Sequence, residues 1–180
     1  MSVDGSLEAL DVIERQTAVL VRNFEMFYRR TDIHDDLDRA EYLLLRTLSE
    51  VGPQDINTLA ASLGLDPSTA GRQVSALCRQ GLVERAAAAT DRRRSIITPT
   101  AAGLRRMDAV RTARAESLAD LLGGWTEEEL HTLGAMFAKY NGAVARKFLA
   151  DAHADAGVGV GVDANADANA ESAPAPVNAR

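Results

Sequence analysis

The chain has 180 residues, 46% of them hydrophobic, a single cysteine and a formal net charge of −6, which suits one globular domain with a real core. No run approaches the roughly 18 apolar residues of a membrane span, and Met1-Ser2-Val3-Asp4-Gly5 lacks the basic-then-apolar order of a secretory leader, so a cytoplasmic protein with no membrane partner is expected. Cys78 alone cannot close an intramolecular disulfide, and with three scattered histidines it makes no metal-ligand spacing, so no disulfide, metal or cofactor is expected.

From Leu7 to Tyr28, Leu10, Ile13, Leu20, Phe24 and Phe27 recur at helical steps among charged residues, which predicts a long amphipathic helix. The polar stretch Thr31 to Asp36 interrupts it. A second helix starts at Leu37 or Asp38, carries Tyr42, Leu44, Leu45 and Leu48, and stops at Gly52-Pro53. Asp55 can cap a short third helix, Ile56 to Leu63, closed by Gly64. Asp66 and Pro67 open a fourth that runs to about Gln80, with Gly81 ending it.

Two β-suited segments follow, Leu82 to Arg85 and Ser95 to Thr98, and read as a hairpin with an exposed tip. Thr100 can cap a fifth helix bearing Leu104, Met107, Val110, Leu118, Leu121 and Leu122, ended by Gly123-Gly124. Thr126 and Glu129 form a capping box for a sixth, whose stripe of Leu130, Leu133, Phe137, Tyr140, Val144 and Phe148 needs a partner. From Asp151 onward the chain is Ala-, Gly-, Asp- and Asn-rich without an aromatic residue, the composition of a disordered tail.

A negative average charge argues against a polyanion partner, but the charge is unevenly spread. Between Asp66 and Arg106 eight arginines face three acids, a local +5 that leaves −11 for everything else. One basic face on an acidic body orients a protein on nucleic acid. The segment begins inside a pair of short helices, Asp55 to Leu63 and Pro67 to Gln80, joined by Gly64-Leu65-Asp66, the tight connection of a helix-turn-helix. If Ala70, Val74 and Leu77 are buried, Ser68, Thr69, Arg72, Gln73 and Ser75 point outward or to the flank. Arginine pairs two acceptors on guanine, glutamine pairs adenine, and hydroxyls at a helix N-terminus hold phosphate. Asp91, Arg92, Arg93 and Arg94 occupy the hairpin tip, where an arginine can enter a narrow minor groove.

Leu63-Gly64-Leu65-Asp66-Pro67-Ser68-Thr69-Ala70-Gly71-Arg72, then Leu77, Gly81-Leu82-Val83-Glu84-Arg85, Asp91-Arg92-Arg93 and Thr100-Ala101-Ala102-Gly103 resemble the MarR family of bacterial transcriptional regulators across about residues 7 to 149. The resemblance implies a homodimeric winged helix with interlocking terminal helices, whose DNA binding is often relieved by a small ligand or by oxidation. It also implies that Arg93 is the minor-groove residue, oriented by Asp91, and that Ser68, Thr69, Arg72 and Gln73 face the major groove. Pro99 departs from the family pattern, which has an aliphatic residue there, so the second strand is expected to end early. Ala86 to Ala89 replace more polar residues.

The resulting expectation is a mostly α (α+β) winged helix-turn-helix with long N- and C-terminal dimerisation helices. Residues 1–36 form the N-terminal dimerisation helix and connector, and 37–99 the DNA-binding lobe, with recognition helix 67–80 and wing 82–98. Residues 100–149 form the C-terminal dimerisation helices and 150–180 the tail. The expected partners are a pseudo-palindromic double-stranded DNA operator, a second copy of the chain and a small aromatic effector. For the effector, Tyr28, Arg29, Arg30 and His34 at the end of the first helix are the candidates, although they also suit a helix end with snorkelling arginines. Cys78 reads as a small, partly buried apolar residue before a redox switch, and His34 among Asp32, Asp35, Asp36 and Asp38 as a polar connector before a cation site. No nucleophile, base and orienting acid occur together, so no enzyme is expected. A winged-helix protein-interaction or ligand-binding module without DNA binding is the rival reading.

Overall fold

The computed structural model describes residues 3–34, 36–88 and 94–149. Helix α1 (Val3–Arg30) has 28 residues, about 42 Å at 1.5 Å per residue. A single 3-10 turn, Asp32–His34, leads to α2 (Arg39–Val51). Asp38 caps α2: its carboxylate accepts from the Glu41 amide at 2.8 Å while Glu41 accepts from the Asp38 amide at 3.2 Å. Strand β1 (Gln54–Asp55) is followed by α3 (Ile56–Leu63) and α4 (Pro67–Arg79). Then come β2 (Val83–Ala87), β3 (Ser95–Pro99), α5 (Ala101–Leu121) and α6 (Glu127–Phe148).

The strands form an antiparallel sheet in the order β1-β3-β2. Strand β1 has no signature in the sequence, because two residues carry no period to read. It pairs Gln54 with Ile97 and Asp55 with Ile96, fastening the start of α3 to the hairpin. Pro99 does not shorten the second strand as expected; β3 runs through it, paired with Val83. The Thr100 amide donates to the Leu82 carbonyl at 3.0 Å, so Leu82 and Thr100 are a hydrogen-bonded pair and Val83 and Pro99 the adjacent non-bonded one. A proline there removes no rung between β2 and β3.

One core holds the lobe together. Leu37, Leu44, Leu45, Leu48, Leu59, Val74, Leu77 and Ile97 are at most 1% exposed, with Leu82, Val83, Met107 and Val110 beside them. Each such side chain contributes about 1.5–3 kcal/mol on burial. The alternation of β2 ends after its first residue: Val83 is buried and Glu84 to Ala87 are exposed, so the hairpin leaves the core and projects.

Gly64 and Gly103 are required by geometry where elements meet. Gly64 ends α3 in the left-handed region at φ 65°, which costs glycine nothing; a Cβ there would also lie 2.8 Å from Leu149 Cδ2 just past α6. At Gly103 a Cβ would come within 2.1 Å of the Leu82 carbonyl oxygen, so α5 seats against the hairpin base only without a side chain.

The terminal helices behave differently from the lobe. Leu10, Ile13, Phe24, Leu118, Leu121, Leu130, Phe137, Tyr140, Val144 and Phe148 are all exposed, and α6 buries no residue within the chain. No described helix is long and apolar enough to cross a membrane.

Candidate nucleic-acid interface and adjoining cavity

Helices α3 and α4 are joined by Gly64, Leu65 and Asp66, and each is capped by an aspartate. Asp66 accepts from the Thr69 amide at 2.9 Å, and the hydroxyls of Ser68 and Thr69 also donate to it. Those two hydroxyls and the Thr69 amide hold its carboxyl well below the ordinary 3.8. The Thr69 hydroxyl in turn accepts from Arg72 Nη2 at 2.9 Å. A chain of carboxylate, hydroxyl and guanidinium thus fixes the first turn of α4, with Arg72 exposed and its remaining N–H groups uncommitted among the described contacts.

The other residues of α4 divide. Ala70, Val74 and Leu77 are buried. Ser68 is exposed and Thr69 half-buried. Gln73 is half-buried, and its Oε1 is enclosed without a hydrogen-bond partner. Ser75 is half-buried, and its hydroxyl donates back to the Gly71 carbonyl at 2.7 Å, so its outward reach is smaller than periodicity suggests. Cys78 is half-buried against the core.

At the hairpin, Asp91, Arg92 and Arg93 lie outside the described residues. Arg94 is described, and it is not free: its guanidinium pairs with Asp55 Oδ2. Asp55 is also the α3 cap, accepting from the amides of Asn57 at 3.0 Å and Thr58 at 3.1 Å and from the Thr58 hydroxyl at 3.0 Å. Burial pushes its carboxyl up, but the Thr58 amide, Arg94 and the Thr58 hydroxyl outweigh this and leave it below the ordinary value. Sequence reasoning identifies the cap; the pairing across 39 residues has no local signal.

A cavity of about 480 Å³ opens beside the lobe, lined by Glu25, Tyr28, Arg29, His34, Asp38 and Arg39. Three of the four anticipated effector residues, Tyr28, Arg29 and His34, come together there; Arg30 is exposed and does not line it. Arg114 of α5, which sequence reasoning missed, donates to the Tyr28 hydroxyl at 3.0 Å and to His34 Nε2 at 3.2 Å. His34 Nδ1 lies 3.0 Å from the Leu37 carbonyl. A carbonyl only accepts and a guanidinium only donates, so this geometry pairs Nδ1 as donor with Leu37 and Nε2 as acceptor with Arg114. Arg39 stacks over the Tyr28 ring at 4.9 Å, and Arg114 over Tyr42 at 5.2 Å. Arg114 is 80 residues from His34, which is why no local pattern reveals it.

The model of the MarR family matches residues 37–95, the stretch from the buried Leu37 through the helix pair to the start of β3. The chain is 31% identical over 134 residues to the uncharacterised HTH-type transcriptional regulator YxaD of Bacillus subtilis (strain 168), covering 74% of this chain and 94% of that protein. The chain belongs to the MarR family. This MarR-family regulator shares its fold with a MarR protein from Peptoclostridium difficile at 19% identity and TM-score 0.62, covering 76% of this chain and 89% of that one. It is also similar to the PcaV transcriptional regulator of Streptomyces coelicolor, solved in complex with its natural ligand, at 24% identity and TM-score 0.57, covering 69% and 91%. The fold class read from the sequence, a mostly helical winged helix-turn-helix, therefore stands, and membership of the family makes this chain a DNA-binding transcriptional regulator.

Proposed function

We propose that this regulator is a homodimeric repressor that reads a pseudo-palindromic operator with α4 and is released by a small aromatic acid. The observation that carries the DNA half is the Asp66–Thr69–Arg72 chain, which holds an exposed arginine in one orientation at the head of the helix pair. Arg72 and Gln73 take the base edges, Ser68, Thr69 and Ser75 the phosphates and flank, and Asp91, Arg92 and Arg93 the minor groove. Dimerisation is supported by an apolar groove of about 370 Å³ among Leu20, Phe24, Phe27, Leu118, Trp125 and Phe137, contributed by the two terminal helical segments and unfilled by the described residues.

For the effector, the cavity offers the rings of Tyr28 and His34 and the cations Arg29 and Arg39 in its lining, beside the carboxylates of Glu25 and Asp38. A flat carboxylate-bearing ring satisfies both the rings and the cations. PcaV, which has a natural ligand, lends this reading support by fold. Domain limits of 1–36, 37–99 and 100–149 follow the same division of labour.

The test uses a duplex selected from a random-sequence library by the wild-type protein, followed by fluorescence anisotropy. R93A should weaken binding across sequences and lower the salt slope by roughly one for each phosphate no longer neutralised, while R72A and Q73A should alter base preference. Full affinity and unchanged preference in all three would refute the site. Repression is tested by placing the selected duplex upstream of a reporter, where the protein should lower expression and an aromatic carboxylate should restore it.

A further inference from the structure

We propose that Arg94 is a positioning residue: held by the Asp55 carboxylate at the head of α3, it fixes the angle between hairpin and helix pair and so sets where the hairpin meets DNA. The inference rests on the reading of these two elements as the DNA interface. Arg94 is anchored twice. Its carbonyl accepts from the Ala88 amide at 2.9 Å, closing the hairpin ladder, and its side chain crosses to Asp55. The carboxylate that receives it is 10% exposed, against 55% for Arg94, and Asp55 is the one buried charged residue among those described.

The two Asp55 oxygens receive four donors, three from the first turn of α3 and one from Arg94. That nearly fills the acceptor capacity of a carboxylate, so the guanidinium completes a buried anion's shell. The β1–β3 pairing ties the base of the hairpin to α3 as far as Ile96, and Arg94 stands beyond it toward the tip. Beyond Val83 the residues of β2 are exposed, so apolar packing does not hold the projecting half of the hairpin. Among the described residues Arg94–Asp55 is the single ion pair between hairpin and helix pair. An arginine so engaged is withheld from phosphate, and a buried carboxylate beside it repels phosphate.

The sign of one substitution separates positioning from direct contact. Asn is as good a helix cap as Asp, so D55N keeps α3 capped while removing the charge. Measured by anisotropy on a duplex selected with the wild-type full-length protein, D55N and R94Q should each bind roughly five- to tenfold more weakly, the scale of a half-exposed pair. The double variant should be no weaker than the weaker single one, and R94K should recover part of the loss. Hydroxyl-radical footprints should lose protection at the flanks while keeping it at the centre. If Arg94 touched DNA, D55N would bind as well as or better than wild type, and that result overturns the proposal. So does additivity in the double variant, or wild-type affinity in R94Q, whose exposed side chain puts folding at little risk. Failure of the wild-type protein to select any duplex would instead overturn the DNA-binding site itself.

Discussion

Gly103→Ala is the most informative single change in the lobe. In an open helix this substitution stabilises by about 1 kcal/mol. Here the new Cβ would stand 2.1 Å from the Leu82 oxygen and 3.0 Å from its carbonyl carbon, with Leu45 Cδ2 at 3.2 Å. Leucine can turn aside; the carbonyl cannot, because it accepts from the Thr100 amide at 3.0 Å and the Thr100 hydroxyl at 3.2 Å. Moving α5 away strains both bonds and the cap that Thr100 supplies to the Gly103 amide. Overpacking of about 1–3 kcal/mol and weakened hydrogen bonds of about 0.5–1.5 kcal/mol each exceed the helical gain, leaving a net loss of about 2–3 kcal/mol. At about 2–4 °C per kcal/mol for a chain of this size, Tm should fall by roughly 5–10 °C. Gly71→Ala supplies the opposite sign, since its Cβ would meet nothing within 4 Å; Tm should rise by about 2–4 °C. Circular-dichroism melts at one protein concentration read both. If Gly103→Ala melts with the parent, the close approach of α5 to the hairpin base is not what demands glycine.

Three further outcomes are expected. Asp66 has a folded-state pKa below its ordinary 3.8, so its contribution to stability is present above about pH 4 and lost as pH falls through the folded value; Tm measured down to pH 3 should drop less steeply in D66N than in wild type, and parallel curves would contradict this. Trp125, the chain's one tryptophan, is 45% exposed at the edge of the apolar groove, so dilution through the dimer dissociation range should red-shift its emission, whereas a concentration-independent spectrum would remove Trp125 from the interface. Arg114→Ala frees the Tyr28 hydroxyl and His34 Nε2 together; calorimetric titration with an aromatic carboxylate such as benzoate should show at least about tenfold weaker binding, and an unchanged isotherm would place the ligand elsewhere.

Local chemistry carries most of what the sequence discloses. Asp55, Asp66, Thr100 and Thr126 announce helix starts because a cap acts on amides two or three residues away, and the structure places all four at N-caps. Gly64 announces an end for the same reason. The core positions Leu44, Leu45 and Leu48 follow from period. What stays hidden depends on distant partners. Strand β1 exists because β3 runs beside it, Arg94 turns to a carboxylate 39 residues away, and Arg114 reaches two aromatic groups on another part of the chain. Ser75 and Gln73 show the limit of a helical wheel, which ranks faces but does not see a hydroxyl bonding its own helix or an amide oxygen enclosed by neighbours. Pro99 shows another: its cost depends on which side of the strand its missing N–H faces.

The contact of Leu149 with Gly64 joins the far end of α6 to the turn between α3 and α4. Coupling through a shared contact is symmetric in free energy: whatever factor α6 docking exerts on the set of that turn, the turn exerts on α6 docking. If, as proposed, α6 seats on a second copy and α4 in a groove, the operator would itself act as an effector of assembly, tightening or loosening the dimer by the same factor that assembly changes its grip on DNA.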